Sequence, residues 1–446
     1  MTYGDALTWL ASLRRFGVQP GTERVGAVLA RLGHPERRFA ALHIAGTNGK
    51  GSTAAMCAAI LLAAARAAGP DAPTVGLYTS PHLLRLTERV QLGSGPGGLL
   101  EAPPHELAEA MAQVRAEAER APAVSLTFFE AITAAAFAWF ACRGAGVVVV
   151  ETGLGGRLDA TRLCQAVATC ITSIGLDHVE WLGPTLCDIA REKAGIFRPG
   201  VPALVACEDE AAGAVLAAEA ARVGAPLLRL GLEIPLLDEE LAAALALPGA
   251  HQRRNAALAR ALACHAPPPL GGLAARRDVQ RQGFQTARWP GRLEKIPLPD
   301  QGADAWLDAA HNPEGAAALD AWLATHPARP SCVLVGILAD KDAAGMLAPA
   351  ARAEAAVLCR PPSPRGRPPQ ELAPLLQAAG YQGQPPLLCE DVATALAAAR
   401  RRVPAGGMLL VYGSIFLVAE VRRLLRGEAA DPYPVQDPLR EARGSG

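Results

Sequence analysis

Four lysines, Lys50, Lys193, Lys295 and Lys341, stand among 43 basic residues, and the rest are arginine. An ammonium is a compact charge on an amine that can lose its proton, and a guanidinium offers neither property. A lysine kept against such a bias is a candidate for chemistry that arginine cannot perform. Lys50 sits in Gly46-Thr47-Asn48-Gly49-Lys50-Gly51-Ser52, between an apolar stretch and an Ala-rich one running from Ser52 to about Ala68. A glycine-rich turn from strand to helix lets backbone N–H groups approach phosphate oxygens, and the helix N-terminus and a lysine add positive potential. The strict G-x-x-x-x-G-K-[ST] spacing is not met, because Ile44 stands at the first glycine position and Gly51 separates Lys50 from Ser52. A nucleotide phosphate is the predicted occupant, against the alternative of a glycine turn that binds nothing.

Three further constellations could act beside it. Glu151 ends the run Val147-Val148-Val149-Val150 and opens Glu151-Thr152-Gly153-Leu154-Gly155-Gly156-Arg157-Leu158-Asp159-Ala160-Thr161. Ligands of open α/β sheets collect at the carboxyl ends of strands. A carboxylate there suits Mg²⁺, which takes a few oxygen ligands beside phosphate and water; the plainer reading is a capping or solvated glutamate. His178 follows another strand-like run, Val167–Ser173, and could converge with Glu151 on one metal, although a lone histidine is more often structural. Lys193 lies in the helical stretch Arg191-Glu192-Lys193-Ala194-Gly195-Ile196-Phe197, where a solvated or paired lysine is the ordinary expectation. The arginine bias argues against that expectation. Asp308 and His311, in Asp308-Ala309-Ala310-His311-Asn312-Pro313, suit a ribose, a nucleotide or proton transfer. Asn312-Pro313 also reads as a turn before a helix. Lys341, between Asp340 and Asp342, reads as a local ion pair, and Lys295 as surface.

A chain of 446 residues exceeds one ordinary core, so two domains are expected. Short β-rich runs alternate with Ala/Leu-rich helical stretches, which argues α/β with largely parallel sheets. Predicted strands are Ala41–Ala45, Thr74–Tyr78, Val147–Glu151, Val167–Ser173 and Val201–Ala206, and the rhythm restarts with Ala305–Asp308, Cys332–Val335, Ala355–Cys359, Leu387–Cys389 and Met408–Val411. The join is expected at Trp289-Pro290-Gly291-Arg292, dividing residues 1–288 from 289–426, with a poorly ordered tail over 427–446. Pro361 to Pro369 reads as a loop. Zero net charge gives no electrostatic reason for nucleic-acid or membrane partners. Ten cysteines without a C-x-x-C pair suggest neither zinc nor disulfides. No signal peptide is expected, and the longest apolar stretch, Ala131–Cys142, is too short to span a bilayer, so the expectation is a cytoplasmic protein.

Taken together these segments resemble the folylpolyglutamate synthase/dihydrofolate synthase family, relatives of the Mur peptidoglycan ligases. The resemblance runs in family order through His43–Ser52, Tyr78–Leu83, Thr87–Val90, Ser125–Glu130, Glu151–Thr161, Thr172–Gly183, Arg191–Arg198, His251–Ala256, Trp289–Glu294, Leu307–Gly315, Gly336–Asp342 and Tyr412–Ser414. It implies an α/β protein with an N-terminal P-loop ATPase domain, like the central domain of Mur ligases, and a smaller C-terminal Rossmann-like domain. It implies ATP-dependent ligation of L-glutamate to a folate or dihydropteroate through an acyl phosphate, in a monomer using ATP, Mg²⁺ and a monovalent cation such as K⁺. Asn48, Gly49, Lys50, Gly51, Ser52, Asn255, Arg292, Asp308 and His311 match ATP contacts; Ser80, Glu151, His178 and Lys193 match the metal set. Lys193 matches a lysine that is carbamylated in the family, and Lys50, Lys193 and His311 carry the catalytic expectation. Thr127, Phe128, Phe129, Glu130, Leu158, Asp159 and Ala160 resemble segments near the pterin-bearing substrate. Arg15–Arg24 is more similar to members that chiefly extend folates than to bifunctional ones. The alternatives are a Mur-type ligase acting on a UDP-sugar substrate and a non-catalytic nucleotide switch.

Overall fold

The computed structural model describes residues 1–13 and 19–432. Arg15 to Val18, and residues 433–446 of the expected tail, lie outside the described residues. Eight strands form the first sheet: β1 (Ala40–Ala45), β2 (Val75–Tyr78), β3 (Val90–Gly93), β4 (Leu99–Glu101), β5 (Val147–Glu151), β6 (Ala166–Ile171), β7 (Ala203–Val205) and β8 (Leu227–Arg229). Their order is β4-β3-β2-β5-β1-β6-β7-β8. The second sheet holds β9 (Glu294–Leu298), β10 (Ala303–Asp308), β11 (Cys332–Val335), β12 (Ala355–Cys359), β13 (Leu387–Cys389) and β14 (Met408–Tyr412), in the order β13-β12-β11-β14-β10-β9.

The valine run becomes β5, buried along its whole length and paired in parallel with β1 and β2. Both faces of this sheet are covered, which is why the run is continuous rather than alternating. One face meets the helix Lys50–Ala68, itself backed by His251–Ala263, Leu270–Ala274 and Arg277–Thr286. The other meets Pro104–Glu119 and Phe128–Cys142, where Phe39 packs edge-on against Phe137 and Phe140. By length and composition Lys50–Ala68, not Ala131–Cys142, is the apolar segment able to cross a bilayer, but most of it is buried inside the protein. The two lobes touch through Leu83, Leu84, Leu338, Phe416 and Ala419.

Both sheets are largely parallel, as expected, with antiparallel pairing only where β3, β4 and β9 join toward the edges. Some bounds differ. Val201–Ala206 shortens to Ala203–Val205; Pro202 has no N–H, and only its carbonyl joins the ladder, accepting from Thr169 N at 2.9 Å. Pro369 leaves the expected loop to open the helix Pro369–Ala378, a position where a missing N–H is harmless. Residues 427–432 are fastened rather than loose. Asp431 accepts from Leu86 N at 2.7 Å and from the Tyr3 hydroxyl at 2.9 Å, and its own N–H donates to Leu84 O at 2.9 Å.

Candidate active site

β1 ends at Ala45 and the chain turns through Gly46–Gly49 into the helix beginning at Lys50. Two hydroxyls beyond β6 hold this loop. Thr172 Oγ1 donates to Asn48 O at 2.6 Å, and Ser173 Oγ accepts from Asn48 N at 2.9 Å. Lys50 Nζ lies over the turn, donating to Gly46 O at 3.0 Å and Thr47 O at 3.1 Å. Gly49 has φ +85°, and a Cβ on it would lie 2.4 Å from Asn255 Oδ1, so backbone conformation and the approach of Asn255 both demand glycine. Asn255 Nδ2 donates to Gln252 Oε1 at 3.0 Å, and Gln252 Nε2 donates to Ser52 Oγ at 3.3 Å.

Glu151, at the end of β5, accepts from Ser80 N at 3.1 Å. Burial pushes its carboxyl up, opposed by the Lys50 charge and the Ser80 N–H. His178 has a left-handed backbone (φ 51°), and burial pulls its imidazole down to about 4, so it is neutral near pH 7. Lys193 is buried with Nζ donating to Gly46 O at 2.9 Å. Burial, and then the Lys50 charge, lower its amine to about 7. Among the described residues no group of three or more His, Cys, Asp and Glu side chains is gathered to hold a metal. One carboxylate, one hydroxyl and one neutral imidazole form a sparse set, suited to Mg²⁺ that binds mainly phosphate oxygens and keeps waters.

The second lobe presents the loop after β10. Asp308 holds that loop in shape, accepting from Leu293 N at 2.9 Å and Ala310 N at 2.8 Å. His311 Nδ1 faces Ala309 O at 2.9 Å, and its Nε2 lies 3.5 Å from Asp177 Oδ2. Asp177 is the centre of the interlobe contact. Lys341 Nζ donates to its Oδ1 at 2.6 Å and Asn312 Nδ2 to its Oδ2 at 3.3 Å. Burial alone would raise the Asp177 carboxyl; the His311 hydrogen bond and the charges of His178, His311 and Lys341 hold it well below the usual range. Lys341 is therefore not locally paired with Asp340 or Asp342, as its sequence neighbours suggest, but bridges the lobes. Asn48 joins the same network, its Nδ2 donating to Glu314 Oε2 at 2.9 Å.

Two adjoining cavities follow from this arrangement. The larger, about 670 Å³, is bordered by all nine residues expected to contact ATP and by Ser80, Glu151, His178 and Lys193. The smaller, about 360 Å³, is bordered by Thr127–Glu130 and Leu158–Ala160, and shares Ser80, His178, Arg292 and His311 with the first. Within it the roles divide. Thr127 and Glu130 form a reciprocal cap on their helix, and Glu130 pairs with Arg24 at 3.0 Å. Asp159 Oδ2 accepts from Gly153 N at 3.0 Å and Leu154 N at 2.9 Å, shaping the glycine loop. Phe128 stacks under Arg89, 5.4 Å from its guanidinium carbon. Phe129 packs near Tyr78 with ring centroids 6.4 Å apart.

The chain matches the Mur ligase middle domain over residues 44–236 and the Mur ligase glutamate ligase domain over residues 291–415. It is 36% identical to the dihydrofolate synthase/folylpolyglutamate synthase of Bacillus subtilis over 70% of this chain and 74% of that one. It is 32% identical to the folylpolyglutamate synthase of Lacticaseibacillus casei over 96% of this chain and 99% of the relative. A solved bifunctional folylpolyglutamate synthase/dihydrofolate synthase with Mn, AMPPNP and L-glutamate bound superposes with a TM-score of 0.78 at 34% identity, over 94% of this chain and 98% of that one. The chain belongs to the folylpolyglutamate synthase/dihydrofolate synthase family of Mur ligases. The Mur-ligase fold expected from the resemblance is the one found.

For a member of this family, sequence reasoning missed Asp177 as the hub, Lys341 as its partner, and the Thr172 and Ser173 hydroxyls that hold the phosphate loop. The rarity of lysine was a usable signal for Lys341, masked by its two acidic neighbours.

Proposed function

We propose that the protein is an ATP-dependent amide ligase that joins L-glutamate to the carboxylate of a folate, with dihydropteroate as a second candidate acceptor. The observation that carries this reading is a pair of adjoining cavities with shared walls, the larger bordered by the phosphate loop, the buried Lys193 and His311 from the opposite lobe. The folate names of its relatives and the ligands of the solved one support it. The UDP-sugar reading is less supported, because these relatives are folate enzymes matched over most of their length.

A carboxylate is a poor acyl donor. Its oxygen attacks the γ-phosphorus of ATP, forming an O–P bond as the bond to the ADP oxygen breaks. The α-amine of glutamate then attacks the carbonyl carbon; the C–N bond forms, the C–O bond to phosphate breaks, and the surplus proton passes to phosphate or solvent. In this reading the backbone N–H groups of Gly49, Gly51 and Ser52 cradle the triphosphate beside Asn48, whose own N–H stays with Ser173, and Lys50 exchanges its carbonyl partners for phosphate oxygens. Ser80, Glu151 and His178 would hold Mg²⁺, aided by a carbamate on Lys193. When bound, the ion neutralises charge on the transferring phosphoryl group. Asn255, Arg292, Asp308 and His311 contact the nucleotide. Phe128, Phe129, Leu158 and Ala160 form the apolar wall for the pterin, while Thr127, Glu130 and Asp159 hold that wall in shape. Closure of the lobes, residues 1–288 against 289–426, excludes water from the acyl phosphate. A cytoplasmic monomer acting on small molecules completes the reading.

The test is ADP release by the purified protein with tetrahydrofolate and L-glutamate, then with dihydropteroate, set against UDP-muramoyl acceptors. Product masses one glutamyl residue heavier than the folate are expected. ADP release only with the UDP-sugar acceptor refutes the reading.

A further inference from the structure

The extra glycine between Lys50 and Ser52 is explained by a residue far along the chain. A Cβ built on Gly51 would lie 2.6 Å from Trp289 Nε1 and 2.7 Å from its Cε2 and Cζ2. The indole edge thus rests directly on the first turn of the phosphate-loop helix. Trp289 is partly buried against the core that surrounds this helix. Two and four residues further on, the same segment is fixed to the other lobe. Gly291 O accepts from Ala309 N at 2.8 Å, and Leu293 N donates to Asp308 Oδ2 at 2.9 Å. Those two bonds hold the loop that carries His311. A Cβ on Gly291 would also lie 3.1 Å from Val418 Cγ1, so this end too is closely packed.

We propose that Trp289 is a positioning residue: segment 289–293 is a strut that sets the distance between the phosphate loop and the His311 loop. The inference rests on the ligase reading above. Trp289 need not touch either substrate. The indole bears on Gly51, the backbone of Gly291 and Leu293 bears on Ala309 and Asp308, and Arg292, between these contacts, borders both cavities. A strut of five residues with both ends packed transmits displacement rather than absorbing it, because a close-packed contact has no slack. An added methyl at position 51 must push the indole, and with it the His311 loop.

The test is a double-mutant cycle on steady-state ligation with ATP, tetrahydrofolate and glutamate, with melting temperatures measured alongside. Gly51→Ala should lower kcat by about 100-fold, the loss that a displacement near 1 Å brings at an active site. Trp289→Leu ends at Cδ and so removes the Nε1, Cε2 and Cζ2 atoms that the new methyl strikes. In that background Gly51→Ala should lower kcat by less than about threefold, a coupling between contacting residues. Trp289→Leu alone should lower kcat several-fold while the KM for folate stays near the wild-type value. The proposal is overturned if Gly51→Ala has the same effect in both backgrounds, which would leave a direct phosphate role for Gly51, or if Trp289→Leu changes the melting temperature and not kcat. Wild-type protein that fails to release ADP overturns the ligase reading instead, so the two failures are distinguishable.

Discussion

Replacing Lys193 with arginine keeps a positive charge on a long stem but removes the amine. The amine is buried, 2.9 Å from Gly46 O, and its acidity is raised to a value of about 7 by burial and by the Lys50 charge. At pH 7 an ordinary lysine amine is uncharged in about 0.03% of molecules, whereas one titrating near 7 is uncharged in about half. The site therefore enriches, on the order of a thousandfold, the only form that can add CO2. A guanidinium does not deprotonate, so Lys193→Arg brings that form to zero. Ligation is expected to fall by about 10- to 100-fold, the loss that follows when a group supporting a metal site is removed. Because a buried, unpaired arginine also strains the fold, Lys193→Met is the companion variant. The sign of its stability effect follows from linkage. The folded value lies below the unfolded one, so the folded chain carries a penalty that is complete below pH 7. That penalty fades as pH rises toward 10.5. Its size is on the order of 5 kcal/mol, so Lys193→Met should melt higher than wild type at pH 6, by a margin that shrinks above pH 9. Both variants are assayed by coupled ADP release with tetrahydrofolate and glutamate, with and without added bicarbonate. Wild-type turnover by Lys193→Arg refutes the reasoning outright.

Other perturbations address the rest of the cleft. Lys341→Ala removes the 2.6 Å pair with Asp177 and should weaken the interlobe contact by about 3 kcal/mol, seen as a larger radius in solution scattering and a lower kcat; unchanged compactness and turnover count against the bridge. Gly153→Ala would place a Cβ 2.5 Å from Phe129 Cζ, and should raise the KM for folate about tenfold while sparing that for ATP. Equal rises in both constants would contradict the division of the cleft. Glu151→Gln keeps the shape and the bond from Ser80 N but removes the charge, so the Mg²⁺ concentration for half-maximal rate should rise by about 10- to 100-fold, and an unmoved requirement removes Glu151 from the metal set. Asp308→Ala leaves the N–H groups of Leu293 and Ala310 without their acceptor, which should destabilise the protein by about 1–3 kcal/mol in denaturant titration.

What could be read from the sequence was local. β1, β5 and β6 are contiguous apolar or β-branched runs, each followed by the polar or glycine residues that carry the chemistry, and such runs announce themselves. β3, β4 and β9 are three to five residues long, and β3 and β9 include glycine or proline, so their pairing is decided by the neighbouring strand and not by their own pattern. The same contrast holds in the site. Gly46–Ser52 and Glu151–Thr161 are legible because the reacting groups sit within a few residues of one another. The Lys341–Asp177 pair spans 164 positions and leaves no local mark; each partner has a more obvious neighbour, Asp340 or Asp342 for one and His178 for the other. From its own residues Trp289-Pro290-Gly291-Arg292 was readable as a break in periodicity, and by resemblance Arg292 as an ATP contact; the contact of Trp289 left no mark, because the surface it presses on lies at Gly51.

The fastening of residues 427–432 has a mechanical consequence. Besides the side-chain contacts across the cleft, the second lobe's backbone is tied to the first at two separate places, the 289–293 segment and the stretch at Asp431, which grips Tyr3, Leu84 and Leu86. Two points of attachment define a line. Any parting of the lobes that keeps both intact is a swing about that line, as a door moves on paired pins, with twisting and sliding suppressed. Cutting the chain after Arg426 would leave one pin and turn the door into a swivel.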